Sequence, residues 1–305
     1  MIAHQLTLIR REAWEHPAIW VTPMVTAVVV ALLTLTGQVS VSAFGEAIDL
    51  AIVGAQNVDE GHRKAVLTGV LLVVTSVFAV GAWIVMVFYS LDALYAERKD
   101  KSILFWRSLP ITDAETVLSK LLTALIVVPL VTLVVTFATH LVVMLLTSIW
   151  IKVQGGSAMH LLWAPAPLAD VWASCLVFAL AMPLWLAPLV GWFLFVSAFT
   201  KRSPFLTGFL PLIVLPLLEK MLVGTNLFAE AIFARSVQPP LFDFGELEDL
   251  EAQVQSMGAA GNISLFEQID LLRFLASPSL WAGLVVCGLF AAAAIYVRRY
   301  RDESY

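Results

Sequence analysis

The charged residues of this chain are concentrated in residues 92–120, which hold ten of its 18 basic and 23 acidic residues. Within this segment, residues 96–110 read AERKDKSILFWRSLP and surround a bulky Ile-Leu-Phe-Trp cluster with charge. Arg and aromatic side chains dominate the binding hot spots of protein interfaces, so a short helix over 101–109 would form a knob for a protein partner. The same apolar cluster could instead rest on a membrane surface. Spacing alone does not decide between these interpretations.

The sequence also predicts where this short helix ends and where the next one begins. Pro110 cannot continue a helix comfortably, so the knob should stop there. Thr112 and Glu115 have the spacing of a capping box, with Thr112 as the N-cap and Glu115 at the third helical position. This pattern predicts that a new helix begins at residue 113 and leads towards the third apolar run.

Motifs for ATP, metal or acyl chemistry are absent from the printed sequence. It has no Gly-x-x-x-x-Gly-Lys-Ser/Thr loop, no His-Glu-x-x-His, no Gly-x-Ser-x-Gly elbow and no Cys-rich metal spacing. We therefore expect no cofactor on this chain and no enzyme activity. An intramembrane enzyme and a passive channel or structural subunit remain the competing classes, and neither needs a bulky cytoplasmic knob.

Composition predicts a membrane protein, because 60% of the residues are hydrophobic and 13% charged, against roughly 45–50% and 25% in soluble proteins. Charge-free runs of about 20 residues span a bilayer as helices, and these runs lack the alternation of barrel strands. The predicted fold is an all-α integral membrane protein forming a single transmembrane domain, 1–305. Six spans are predicted, at about 18–37, 65–91, 118–149, 171–199, 205–223 and 279–297, with a long external loop at 224–278.

The basic residues predict the orientation of these spans. Twelve Lys and Arg residues fall on one side and six on the other, so both termini should lie in the cytoplasm. Ile2, Leu6, Ile9 and Ala13 follow helical spacing, which favours an N-terminal interfacial helix on membrane lipids over a frayed charged tail. The first span should be retained, since no cleavage site is obvious behind it.

Ionisable and helix-breaking residues inside the spans are candidates for a translocation path or gate. An intramembrane His is a functional candidate, although a neutral imidazole bonded to a neighbouring helix is the other interpretation. The acid-base pair near the end of span five could form an outer gate or simply snorkel. Paired prolines suggest kinks that bend during gating or static kinks. The candidates are His140, Pro183, Pro188, Pro211, Pro216, Glu219 and Lys220.

A family resemblance rests on LDALYAERKDKSILFWRSLPITDAETVLSKLL, residues 91–122. This segment resembles bacterial ABC-2-type transporter permeases, in which a Glu-Arg pair, a Leu-Pro and a Lys recur at the matching places; the stretch at 10–20 is similar to the family's N-terminal interface segment. The resemblance implies the multi-pass, membrane-spanning permease subunit of an ATP-driven exporter in the bacterial inner (plasma) membrane. Its implied partners are a cytoplasmic ABC ATPase, which binds ATP and Mg, and a second permease subunit in a homodimer or heterodimer.

The resemblance also implies a mechanism and a partner-binding site. The helix over 101–109 would be the coupling helix, and its movement would drive alternating access. The apolar spans weakly favour a hydrophobic or amphipathic substrate over a bare ion, and no nucleic acid partner is expected. The implied partner-binding residues are Glu97, Arg98, Ile103, Leu104, Phe105, Trp106, Arg107 and Leu109.

Overall fold

The computed structural model describes residues 2–36, 60–103, 110–153, 155–237, 239–241 and 264–300. Within these ranges the chain is helical and contains no strand. The helices are α1 (Ile2–Glu15), α2 (Ala18–Leu35), α3 (Glu60–Lys99), α4 (Asp113–Leu122), α5 (Val128–Val153), α6 (Leu168–Phe199), α7 (Pro204–Leu222), α8 (Leu227–Val237), α9 (Leu271–Ala276) and α10 (Pro278–Tyr300). Short π-helical turns occur at Thr123–Val127 and Met159–Trp163, and a 3-10 turn at Phe266–Gln268.

Within the described residues, six helical stretches are long and apolar enough to cross a membrane, which confirms the predicted number of spans. They are Ala18–Leu35, Arg63–Lys99, Asp113–Val153, Leu168–Phe199, Pro204–Leu222 and Pro278–Tyr300. Two of them are much longer than a span needs. The 40 residues of α3 extend about 60 Å, twice the roughly 30 Å of the bilayer hydrocarbon. The helices on both sides of residues 100–112 therefore continue well beyond a minimal span.

The third span is not a uniform α-helix. A π-helical turn at Thr123–Val127 joins α4 to α5, just before Pro129. Proline has no N–H to donate to the carbonyl of Leu125, and its ring would clash with that carbonyl in a regular α-helix. A π turn widens the helix locally and accommodates such a break. The span can therefore continue through Pro129 to Val153.

The core is built around α6, which packs against α10 and α3. Val85, Tyr89, Val190 and Leu194 lie in one buried cluster with residues of α4, α5 and α10. A Cβ at Gly191 would lie 3.1 Å from the Cα of Cys287, so glycine permits the close approach of α6 to α10. By contrast, α7 is largely exposed along its length.

Two ends of this bundle are named by their helices. The "α4 end" is where α1, α4 and the last turns of α3 and α10 lie together. The "α8 end" is where α8, α9, the first turn of α10 and residues 168–185 of α6 lie. The predicted capping box is confirmed at the α4 end: Thr112 Oγ1 accepts the Glu115 N–H at 3.2 Å, and the Glu115 carboxylate accepts the Thr112 N–H at 2.9 Å.

Candidate coupling site: a buried ionic cluster

Six charged side chains from four helices meet at the α4 end. Four of them, one from each helix, are at most 6% exposed, and two more border them. The set contains three acids and three bases, so its net charge is zero. Each buried charge has an opposite charge beside it, and this pairing offsets the cost of removing the charge from water. This ionic cluster consists of Arg11, Glu12, Glu97, Asp113, Lys120 and Arg298.

Lys120 lies at the centre of the ionic cluster and is fully buried. Its Nζ lies 2.9 and 3.0 Å from the two carboxylate oxygens of Glu12 and 3.0 Å from Oε1 of Glu97. The Tyr89 hydroxyl donates a further hydrogen bond of 2.8 Å to Glu12. Lys120 therefore joins α1, α3 and α4 through one ammonium group.

Arg298 joins the two ends of the predicted coupling segment. Its Nη1 donates to Glu97 at 2.6 Å, and its Nε donates to Asp113 at 2.8 Å. Glu97 is near the end of α3 and Asp113 is the first residue of α4, so one guanidinium binds both sides of residues 100–112. The planar guanidinium has a rigid set of donors, which suits such a bridge better than a flexible ammonium. The end of α3 and the start of α4 are thus both held against α10.

Arg98 holds the end of α3 against the end of α6. Its Nη2 donates to the carbonyls of Ser197 at 2.5 Å and Thr200 at 2.9 Å. The last carbonyls of a helix have no intrahelical partner, and a cation is favourable beside them. The Ser197 hydroxyl in turn accepts the N–H groups of Leu94 and Tyr95. The last turns of α3 and α6 are therefore joined from both sides.

The N-terminal helix α1 presents two different faces. Leu8 and Glu12 are buried against the bundle, whereas Leu6 and Trp14 are 61% and 75% exposed. Helical spacing predicts the exposed apolar face, but it gives no sign that Glu12 is buried. Beside Glu12, burial lowers the pKa of His16, although the Glu12 carboxylate opposes this effect. The imidazole should therefore stay neutral near pH 7.

The implied partner-binding residues fall into two groups. Glu97 and Arg98 make the internal contacts just described, and Ile103 is buried at 1% exposure. The remaining five lie outside the described residues: Leu104, Phe105, Trp106, Arg107 and Leu109. The structure therefore supports an internal role for Glu97 and Arg98, while the contact of all eight with a partner stays a prediction.

His140 occupies a complete hydrogen-bond site in α5. The Trp172 indole can only donate, and it lies 3.2 Å from Nδ1 of His140. The proton must therefore be on Nε2, which lies 3.1 Å from the carbonyl of Leu71. This geometry matches a neutral imidazole that joins neighbouring helices, one of the two interpretations drawn from the sequence.

The other gate candidates lie on α6 and α7. The Glu219 carboxylate accepts the N–H groups of Leu227 and Phe228 at 2.9 and 2.8 Å, so it caps the start of α8. Lys220 is exposed. Pro183 is buried, and the other three prolines are partly buried: Pro188, Pro211 and Pro216. A gate role for these residues stays a prediction.

Sequence reasoning does not assemble the ionic cluster. Lys120 enters it only as part of a family motif, and Glu12, Asp113 and Arg298 are not candidates. One local signal is present, since Lys120 immediately precedes 31 residues without a charged side chain. Its partner Glu12, however, lies 108 positions away, and no local pattern specifies that pairing.

Comparison with known proteins bears on the segment that contains half of the ionic cluster. Residues 65–165 match the family model described as "ABC-2 family transporter protein". This range includes Glu97, Arg98, Asp113 and Lys120 but neither α1 nor α10. No curated protein and no solved structure matches the chain. Through residues 65–165 the chain is similar to the ABC-2 transporter family, and six helices of its described part are long and apolar enough to cross a membrane, which together support a multi-pass membrane permease.

Proposed function

We propose that this chain is the membrane-spanning subunit of an ATP-driven ABC-2-type exporter in a bacterial inner membrane. A separate cytoplasmic ATPase binds ATP and Mg and docks on residues 100–112, and a second permease subunit completes the transporter. ATP-driven movement at 100–112 then switches the helices between inward- and outward-facing states. The observation that carries this proposal is the bridge from Arg298 to both Glu97 and Asp113.

The bridge supports coupling because it limits how residues 100–112 can move. A segment with free ends could absorb a push by bending at its hinges. Here Glu97 and Asp113 are bound by one guanidinium, so a push at 100–112 displaces α3, α4 and α10 together. Lys120 also connects α1 to these three helices through its contact with Glu12. Rigid elements of this kind can transmit a displacement over the length of a helix.

The outer surface of the bundle supports a second permease subunit. The helix α7 is the least buried of the six spans, and Leu210, Ile213 and Leu217 are each more than half exposed on it. In a membrane this surface contacts either lipid or protein.

The apolar spans support a hydrophobic or amphipathic substrate.

Docking is tested with the double variant Phe105→Ala, Trp106→Ala. A tagged chain purified from its native host should bring down an ATPase, and the variant should lose it. Single hot-spot residues contribute about 2 kcal/mol or more, so the pair should cost at least about a hundredfold in affinity. Trp14→Ala, an exposed aromatic on α1, is the matched control and should retain the ATPase. Unchanged docking in the double variant would contradict the proposed docking site.

Coupling is tested separately with Arg298→Ala. Arg299 is the adjacent, exposed arginine, so Arg299→Ala is the matched control. In nanodiscs, the Arg298 variant should still bind the ATPase but lose the stimulation of ATP hydrolysis that the parent chain confers. Arg298→Lys keeps the charge but has no guanidinium to bind both carboxylates, so its stimulation of ATP hydrolysis should be intermediate. Equal hydrolysis in all variants would favour a channel or structural subunit without ATPase coupling.

A further inference from the structure

A cavity of about 300 Å³ lies between α3, α5 and α6, away from the ionic cluster. Val80 and Trp83 lie at its edge and are 58% and 42% exposed, so the cavity opens sideways rather than along the helix axes. Val80 is 20 residues from the start of α3 and 19 from its end, about 30 Å in either direction. In the membrane this opening faces the bilayer hydrocarbon, and an occupant must first dissolve there.

The lining is uncharged, and its hydroxyl groups are already bonded. Thr75, Thr132 and Thr136 each donate to a carbonyl of their own helix at 2.8–2.9 Å, and Ser236 of α8 does the same. An ion or strongly polar molecule would therefore find no opposite charge and no free hydroxyl donor to replace its hydration. The lining selects for a neutral, apolar occupant.

The remaining lining side chains suit a compact molecule with a flat apolar surface. Phe78, Trp83 and Phe178 supply aromatic faces, which pack against rings at an angle or with an offset. Met86 and Met182 are flexible and polarisable, so they can adapt to ligands of different shape. The volume lies at the lower limit of small-molecule sites.

We propose that this cavity binds a neutral hydrophobic small molecule that enters sideways from the bilayer. A compact free molecule fits better than the chain of a membrane phospholipid, because the aromatic faces of Phe78, Trp83 and Phe178 suit a flat ring more than a flexible alkyl chain. The proposal deepens the proposed function by naming the substrate class, and only its link to transport rests on that function.

Benzophenone is a suitable probe, since it is neutral and apolar and on illumination inserts into C–H bonds, especially those beside the sulfur of Met. The full chain in phospholipid nanodiscs should be labelled at Met86 and Met182, as mapped by peptide mass spectrometry. Lipid-exposed Met24 reports the probe dissolved in the bilayer. tert-Butylbenzene, whose triplet energy is too high to quench excited benzophenone, should reduce cavity labelling about tenfold at about ten times its Kd, because only empty cavities react. Labelling of Met24 should not change.

The variant Ala179→Phe fills the cavity from α6 and should abolish labelling of Met86 and Met182. Ala292→Phe makes the same change on the exposed face of α10 and should leave it intact. If the first variant fails to fold, Ala82→Phe fills the cavity from α3 instead.

Three results would overturn the proposal: no cavity labelling, labelling that tert-butylbenzene does not reduce, or labelling that survives the filling variants. Labelling seen only in lipid-free detergent would show that phospholipid chains occupy the cavity, which also overturns it. The Arg298→Ala variant should be labelled at Met86 and Met182 to the same extent as the parent chain, because this assay does not depend on coupling to the ATPase. Failure of coupling and failure of binding can therefore be told apart.

Discussion

The two ends of the bundle use carboxylates in different ways. At the α4 end, Glu12 and Glu97 are buried and bind side-chain cations from helices as far as 201 positions away. At the α8 end, Asp170 and Glu219 accept backbone N–H groups of neighbouring loops and helix starts. Asp270 similarly caps α9 through the Arg273 N–H at 2.8 Å.

This difference indicates which end is costlier to rearrange. Removing one partner of a buried ion pair leaves an uncompensated charge and typically costs about 3–5 kcal/mol, whereas losing a helix cap costs about 1 kcal/mol. The α4 end is therefore a block that resists internal rearrangement. Among the described residues, the α8 end is instead held by carboxylate-to-backbone hydrogen bonds and by Arg235, which donates to the carbonyls of Trp185 and Ser279.

The largest expected difference between the two ends is the side of the membrane on which each one lies. Lys201 and Lys220 are both exposed, and they lie just before and near the end of α7. In a Cys175→Ser, Cys287→Ser background, Lys220→Cys should react with a membrane-impermeant maleimide on intact cells. Lys201→Cys should react only after permeabilisation, because the basic side is predicted to be cytoplasmic. The opposite pattern, or equal labelling of both, would contradict the topology.

The next largest effect should come from Lys120→Met. It leaves the carboxylates of Glu12 and Glu97 buried without their shared cation, so the free energy of unfolding should fall by about 3–5 kcal/mol. Adding Glu12→Gln should recover part of the loss. Lys220→Met at the other end is the matched control and should change little. Denaturant titration in detergent would measure all three, and a Lys120 effect as small as that of Lys220 would contradict the ionic cluster.

A smaller effect is expected at the α8 end for Asp170→Asn. The Asp170 carboxylate accepts the Leu265 N–H at 2.8 Å and the Phe266 N–H at 3.1 Å. Its loss should cost about 1 kcal/mol and accelerate amide exchange mainly at 264–268. Asp100→Asn, an exposed acid at the α4 end, is the control. Faster exchange throughout the bundle would show that the two ends are more tightly linked than their contacts indicate.

The smallest effect should be the response of α1 to acid. Burial lowers the pKa of His16 in the folded chain, so the unfolded chain, with a pKa near 6.5, takes up a proton first. The free energy of unfolding should therefore fall as the pH drops below about 6.5, because protons then favour the unfolded chain. His16→Gln should flatten this dependence near the neutral range. A stability that rises on acidification would contradict the burial of His16.

Much of the fold could be predicted because its causes are local. The charge-free runs specify six spans, since uncompensated charges are excluded from the hydrocarbon, and the structure confirms that number. The Thr112–Glu115 capping box is equally local, and its two hydrogen bonds form as predicted. The π turn at Thr123–Val127 was not predicted, although Pro129, two residues after it, is visible in the sequence.

The sequence alone determined a six-span helical membrane protein, the start of α4 and a resemblance to ABC-2 permeases. Only the tertiary structure decided that Lys120 neutralises Glu12 across 108 positions and that Arg298 joins both ends of residues 100–112. The reason is physical. Burial in lipid depends on residues close together along the chain, whereas a buried charge requires an opposite charge close in space, and the sequence pattern does not reveal which distant segments meet.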